Sequence, residues 1–167
     1  MQARLLPMAL CMCCRHTYTV IPCHKRAVLL KLMPPLKTFL VEDSPLIRES
    51  LIAMLEDLAQ VEVVGTAEDE AAAVQWLTDP ANHADLVIVD IFLKVGSGLG
   101  VLRNARAATR KSKTVVLTNY ATDDMKNKCL ELGADQVFDK SNDIDALITY
   151  CSRMISGEKI TTRPALL

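Results

Sequence analysis

The sequence is poor in aromatic residues, with three Phe, three Tyr and one Trp in 167 positions. Its core therefore has to be aliphatic, built from Val, Leu, Ile and Ala, and no aromatic platform is available for stacking nucleic-acid bases. Long hydrophobic runs are missing too: none approaches the roughly 18 to 20 residues that a membrane span needs. Leu5 to Met12, with Arg4 before it, resembles a short secretory-signal core, but Pro7 interrupts it and no small-x-small cleavage site follows. Cysteine is scarce where a disulfide framework would need it. Cys11, Cys13, Cys14 and Cys23 crowd the start, and only Cys129 and Cys151 lie in the remainder. The body thus reads as reduced and cytoplasmic, with those two thiols as packing residues. Cys11, Cys13, Cys14, Cys23 and His24 fit none of the common zinc spacings.

What is present divides the chain in two. The net charge of −1 conceals a leader, residues 1–36, that holds Arg4, Arg15, Lys25, Arg26 and Lys31 and no acid. The rest holds 14 bases and 20 acids. Residues 1–36 are expected to be a disordered leader or to lie upstream of the true start, with one domain over 37–156 and a short tail over 157–167. Within the body two textures alternate. Thr38–Val41, Val61–Gly65, Leu86–Val89, Thr114–Thr118 and Gln136–Phe138 read as strands. Helices are expected from Pro45 with Ser44 as its cap, over Glu68–Leu77, Leu99–Ala108 and Thr122–Leu132 with Gly133 closing it, and over Asn142–Ile155. In the first helix Leu46, Ile47, Leu51, Met54, Leu55 and Leu58 recur at helical spacing. Five strands alternating with five helices imply a doubly wound α/β fold with a parallel sheet covered on both faces.

In such a sheet, ligands sit beyond the carboxyl ends of the strands. Glu42 and Asp43 follow the first strand, Asp90 the third, Thr118 ends the fourth and Lys140 follows the fifth. Singly, each has an ordinary explanation as a helix cap, a turn former or a surface charge. Together they put three carboxylates, a hydroxyl and an ammonium on one rim. Clustered carboxylates call for a cation, and hard oxygen donors select Mg²⁺. The chemistry this set suits is in-line phosphoryl transfer to the Asp90 carboxylate, with Lys140 and the metal offsetting charge on the equatorial oxygens.

Val41-Glu42-Asp43-Ser44-Pro45, Val87-Ile88-Val89-Asp90, Val116-Leu117-Thr118 and Phe138-Asp139-Lys140 resemble the signature of the response-regulator receiver domains of two-component signalling, chemotaxis-regulator-like. The resemblance implies a flavodoxin-like fold of strand order 2-1-3-4-5 with Asp90 as phosphoacceptor. It also implies Mg²⁺ bound by Asp43 and Asp90, by Glu42 through water and by the backbone carbonyl of Phe92. Thr118 and Lys140 would contact the phosphoryl group. The implied donor is a phosphohistidine on a sensor histidine kinase or a histidine phosphotransfer protein. The sequence departs from the family at several places. Ser141 stands where a proline, often cis, usually follows the lysine, so a trans bond is expected. Val137 holds the place of the switch aromatic, and Phe138 beside it should point to the other face. Asn119 stands where a small residue is usual. Phe92 and Tyr120, two residues beyond Asp90 and Thr118, stand where the resemblance implies that side chains tune water access to the phosphoryl group, and two aromatics there predict slow dephosphorylation.

After the fifth helix the sequence leaves about a dozen residues, so a stand-alone receiver is expected, signalling to an unidentified downstream protein through its own fourth helix, fifth strand and fifth helix, which also suit homodimerisation. Arg103, Arg106, Arg110, Lys111 and Lys113 read as a solvated basic face rather than a nucleic-acid surface. Three rival readings each lack a residue or a need that the sequence would have to supply. An aspartate-nucleophile phosphohydrolase needs a second aspartate where this chain has Phe92. A nucleotide or flavin binder needs a glycine-rich turn where it has Glu-Asp-Ser-Pro. A degenerate receiver acting unphosphorylated would not need the complete acid, threonine and lysine set. The domain is therefore read as a phosphoacceptor and not a turnover enzyme.

Overall fold

The computed structural model describes residues 33–108 and 112–158. The expectations for the leader, its cysteines, His24 and the tail lie outside the described residues, as do the side chains of Arg106, Arg110 and Lys111. In chain order the elements are β1 (Leu36–Val41), α1 (Pro45–Ala59), β2 (Val61–Ala67), α2 (Glu70–Thr78), β3 (Leu86–Val89), α3 (Gly98–Ala108), β4 (Lys113–Thr118), α4 (Asp123–Glu131), β5 (Gln136–Asp139) and α5 (Ile144–Ser156). The five strands form one parallel sheet in the order β2-β1-β3-β4-β5.

Burial explains the order. β3 is buried at all four positions, and β1 and β4 at all but one, so the three apolar runs take the centre and the more polar β2 and β5 take the edges. Side chains alternate across the sheet into two layers. Leu40, Ile88 and Leu117 pack with Leu51 and Leu55 of α1 and with Leu147 and Cys151 of α5. Phe39, Val87 and Val89 pack with Ala73 and Leu77 of α2 and with Val101 and Ala105 of α3. Cys129 and Cys151 are both buried, and burial pushes both thiols up, Cys151 to about 12, which fits packing roles.

The element ends correct several expectations. β2 runs two residues past Gly65, because the pairing with β1 slips by one residue at Thr38/Phe39 and leaves Val64 as the extra residue. That displaces the start of α2 to Glu70, where Asp69 accepts the Ala72 N–H at 2.7 Å as its cap. Ser44 holds the N-cap position of α1, but its hydroxyl makes no cap hydrogen bond, and Pro45 alone supplies the favoured start. α1 buries only Leu51, Leu55 and Ala59 fully, while Leu46 and Leu58 face solvent, so its apolar stripe is narrower than the sequence pattern suggests. Gly133, at φ +105°, closes α4 as expected, with Ala134 N–H donating to the Cys129 carbonyl and Gly133 N–H to that of Leu130, each at 3.0 Å. α5 begins at Ile144, two residues after Asn142, because Asp143 takes the N-cap position.

Phe39 and Trp76 stack with centroids 3.9 Å apart under the β2 edge, and a Cβ at Gly65 would come within 2.6 Å of the indole nitrogen. Gly65→Ala should therefore unstack the pair and cost about 1–3 kcal/mol by overpacking. Urea unfolding and the emission of Trp76, the chain's single tryptophan, check this. An unchanged spectrum and midpoint would show that the indole moves aside without loss.

Candidate functional site

The parallel registers deliver the strand ends to one rim. Val41 pairs with Val89, so Glu42 and Asp90 emerge side by side, with Asp90 N–H donating to the Val41 carbonyl at 2.9 Å. On the far side Thr118 pairs with Asp139, and Lys140 N–H donates to the Thr118 carbonyl at 2.9 Å, fixing where the lysine leaves the sheet. Lys140 Nζ then donates to Glu42 Oε2 and to Asp90 Oδ2, both at 2.6 Å. All three side chains are nearly inaccessible, at 8%, 2% and 9% exposure for Lys140, Glu42 and Asp90. Burial pulls the ammonium's pKa down, but the hydrogen bonds and charges of Asp90 and Glu42 outweigh it and hold Lys140 above the ordinary lysine value.

Asp43 completes the acidic set from the other side. Its Oδ2 accepts the Lys94 N–H at 3.0 Å, with Lys94 Nζ 3.7 Å away. One carboxylate oxygen each from Glu42, Asp43 and Asp90 lie within 4.8 Å of one another. Three carboxylates against the single buried ammonium leave surplus negative charge in a confined, all-oxygen donor set, which fits a hard divalent cation such as Mg²⁺. The Phe92 backbone is beside the cluster, its N–H donating to Asp90 Oδ1 at 3.2 Å. A cavity of about 190 Å³ opens here, bounded by the acids, Lys140, Asn119, Phe92 and Tyr120. The Phe92 and Tyr120 rings meet edge to face, centroids 5.1 Å apart, although each is at least half exposed.

The remaining candidates are placed less directly. Thr118 is fully buried, its Oγ1 accepts the Tyr120 N–H at 3.3 Å, and it is not among the described residues bounding the cavity. Val137 packs towards Ile91, Val116 and Cys129, whereas Phe138 turns to the opposite layer and meets the Tyr150 ring edge to face at 5.8 Å. The expected alternation holds, and Phe138 is committed to the core. No peptide bond among the described residues is cis, so the Lys140–Ser141 bond is trans. Two contributors escaped the sequence reading. Arg48 of α1 donates to the Glu42 carbonyl at 2.9 Å and to Glu68 at 2.8 Å, and Glu70 accepts the Ser97 N–H at 2.9 Å. Nothing in the spacing of either residue marks it, because each acts on backbone brought near only by the fold.

Residues 38–152 match the family model for the response regulator receiver domain. The chain belongs to the response regulator receiver family. Among curated proteins it is similar to response regulator UvrY of Escherichia coli O6:H1, 27% identical over 74% of this chain and 56% of that one. It is also similar to the nitrate/nitrite response regulator protein homolog of Haemophilus influenzae, 31% identical over 75% and 59%. The chain thus spans somewhat over half the length of these relatives. Among solved structures, a LuxR-family two-component response regulator from Aurantimonas superposes with TM-score 0.66, 24% identical over 74% of this chain and 86% of that one. The isolated receiver of RcsB from Salmonella enterica serovar Typhimurium, solved with phosphomimetic BeF₃⁻, gives TM-score 0.65, 22% identical over 75% and 92%. These likenesses extend to the flavodoxin-like fold.

In this receiver the Lys140 bridge is the main electrostatic support of the rim. Lys140→Met would strand two buried carboxylates and should cost about 3 kcal/mol at neutral pH. Because the folded-state pKa of Lys140 is raised, its contribution is complete below the unfolded lysine value of about 10.4 and fades as pH climbs through the folded one. Chemical denaturation of both proteins across pH should show a constant gap through neutrality that narrows only in the alkaline range. A gap already closing near pH 8 contradicts this account.

Proposed function

We propose that Asp90 accepts a phosphoryl group from a phosphohistidine donor and that the receiver passes the signal on by protein contact. One observation carries the reading: Lys140 Nζ is 2.6 Å from both Asp90 and Glu42, with the Asp43 carboxylate inside the same cluster. An Asp90 oxygen attacks phosphorus, the phosphorus–nitrogen bond breaks, and its electron pair leaves with the donor imidazole, giving an acyl phosphate on Asp90. Lys140 supplies fixed positive charge for a phosphoryl oxygen. Thr118 uses its hydroxyl oxygen to accept the Tyr120 N–H, which leaves the hydroxyl proton free to donate to another. Mg²⁺ held by Asp43, Asp90, the Phe92 carbonyl and, through water, Glu42 would add charge stabilisation of the same kind.

Other features support a switch rather than a hydrolase. Phe92 occupies the place two after Asp90 where a turnover enzyme needs a second carboxylate as proton donor. The Phe92–Tyr120 pair stands over the cavity and shields the acyl phosphate from water, and Asn119 narrows the same approach. The proposed output face is α4, β5 and α5, serving a downstream protein or a second copy of the chain. With Phe138 held in the core, the signal has to reach that face through Val137 and the β4–α4 loop. Lys113, from the basic stretch, is engaged with Asp135 at 2.6 Å, which favours no direct nucleic-acid role. No helix among the described residues is long and apolar enough to cross a membrane. A phosphohistidine donor and two buried free thiols favour a cytoplasmic setting.

Acetyl phosphate with Mg²⁺ should add one phosphoryl group by intact mass, and Asp90→Asn or chelation of the metal should abolish it. No adduct on the wild-type protein would point instead to a receiver that works unphosphorylated. Once formed, the acyl phosphate should decay several-fold faster in the double variant Phe92→Asn, Tyr120→Glu, followed by loss of label. Equal lifetimes would mean that the ring pair only packs over the loop.

A further inference from the structure

The segment between Asp90 and α3 brings Phe92 to the acidic cluster, yet its far end is Val95-Gly96-Ser97-Gly98, a glycine-rich stretch with little conformational preference of its own. Gly98 N–H closes the segment on the Ile91 carbonyl at 2.9 Å. Two further attachments hold it in place. On the side of the acids, Asp43 Oδ2 accepts the Lys94 N–H at 3.0 Å. On the opposite side, Glu70 binds it twice: its N–H donates to the Val95 carbonyl at 3.4 Å and its Oε2 accepts the Ser97 N–H at 2.9 Å.

Glu70 is not a surface acid that happens to lie nearby. Its backbone is set by the Asp69 cap at the start of α2. Its side chain fills a slot that exists because two neighbours lack side chains: a Cβ at Gly96, whose φ is +81°, would come within 2.5 Å of Glu70 Cβ, and one at Gly100 would collide with the carboxylate. The carboxylate also meets the first turn of α3, where the helix dipole favours negative charge.

We propose that Glu70 is a positioning residue for the phosphoacceptor loop, holding its 95–97 end so that the Phe92 backbone stays in register with Asp90 and Asp43. The inference rests on the reading of Asp90 and its metal site given above. Glu70 touches none of the reacting groups and acts through Ser97 and Val95. It forms the outer support of the loop, as Asp43 forms the inner one. Loss of a group that orients a metal site from outside typically costs 10–100-fold in metal affinity.

The test compares wild type, Glu70→Ala and Glu70→Gln in the full chain. Calorimetric titration with Mg²⁺ alone should show binding weakened about tenfold in Glu70→Ala. Glu70→Gln, whose amide oxygen still accepts from Ser97, should stay within about threefold of wild type. In Glu70→Ala the Ser97 amide should exchange faster, and half-maximal phosphorylation by acetyl phosphate should need about tenfold more Mg²⁺ while the rate at saturating Mg²⁺ is retained. That split separates positioning from a general loss of fold, which would lower the saturating rate as well. If Ser97 exchanges faster while Mg²⁺ affinity is unchanged, or if Glu70→Gln is as impaired as Glu70→Ala, the positioning role is wrong. If wild type itself neither binds Mg²⁺ nor takes a phosphoryl group, the failure belongs to the reading of Asp90 rather than to Glu70.

Discussion

A buried ammonium held between two buried carboxylates is the constraint that the rest of this receiver satisfies. Lys140 follows β5 and Asp90 follows β3, with β4 between them, so the lysine has to cross two strand spacings, about 10 Å. Only a long side chain leaving the sheet at the right height can do this. The hydrogen bond from Lys140 N–H to the Thr118 carbonyl sets that height. Thr118, on the strand being crossed, is small, fully buried and turned to the Tyr120 amide, which leaves the crossing clear. The strand order therefore determines whether the bridge can form at all.

Burying such a group is tolerable because it closes on itself. A lone ion moved out of water costs several kcal/mol, but here each member offsets the next, and Arg48 and Ser44 engage Glu42 from behind. The core beneath carries none of this load. It is aliphatic, and the six aromatics among the described residues fall into three pairs. Phe39–Trp76 and Phe138–Tyr150 each join a strand to its covering helix. Phe92–Tyr120 joins two loops and is half exposed or more. An aromatic pair kept at the surface contributes little to core burial, so its place is better explained by what it covers.

The sheet and the clustering of the candidate residues on one rim are legible because both rest on local signals. Three strands are apolar runs, β2 and β5 are shorter apolar stretches set off by turns, and Glu42, Asp43, Asp90 and Lys140 each follow a strand end, so topology alone brings them together. Element ends were less legible. The one-residue slip between β1 and β2 depends on pairing across strands, and it displaced the start of α2 from Glu68 to Glu70. Leu46 and Leu58 carry the helical period of α1 yet stay in solvent, because periodicity gives a direction and not the width of the face that is covered. Glu70 was invisible for a further reason. Its meaning lies in the side chains that Gly96 and Gly100 lack, some 30 residues away.

The same logic accounts for the turn after Lys140, where the family's usual proline is absent. A proline would fix this turn by restricting backbone angles. Here Asp139 fixes it with hydrogen bonds: Oδ1 accepts the Ser141 N–H at 2.7 Å and the Asn142 N–H at 3.2 Å, while the Asp143 carboxylate takes the Asp139 N–H at 3.0 Å. The two carboxylates together thus organise the backbone on both sides of the lysine without a ring, the Asp139 one as in an Asx turn. A turn held by hydrogen bonds can be released by competition for its donors, which a proline-fixed turn cannot. Lys140 therefore sits between a strand end fixed by the Thr118 carbonyl and a turn held by the Asp139 and Asp143 carboxylates, which sets the start of its side chain for the contact proposed with the phosphoryl group.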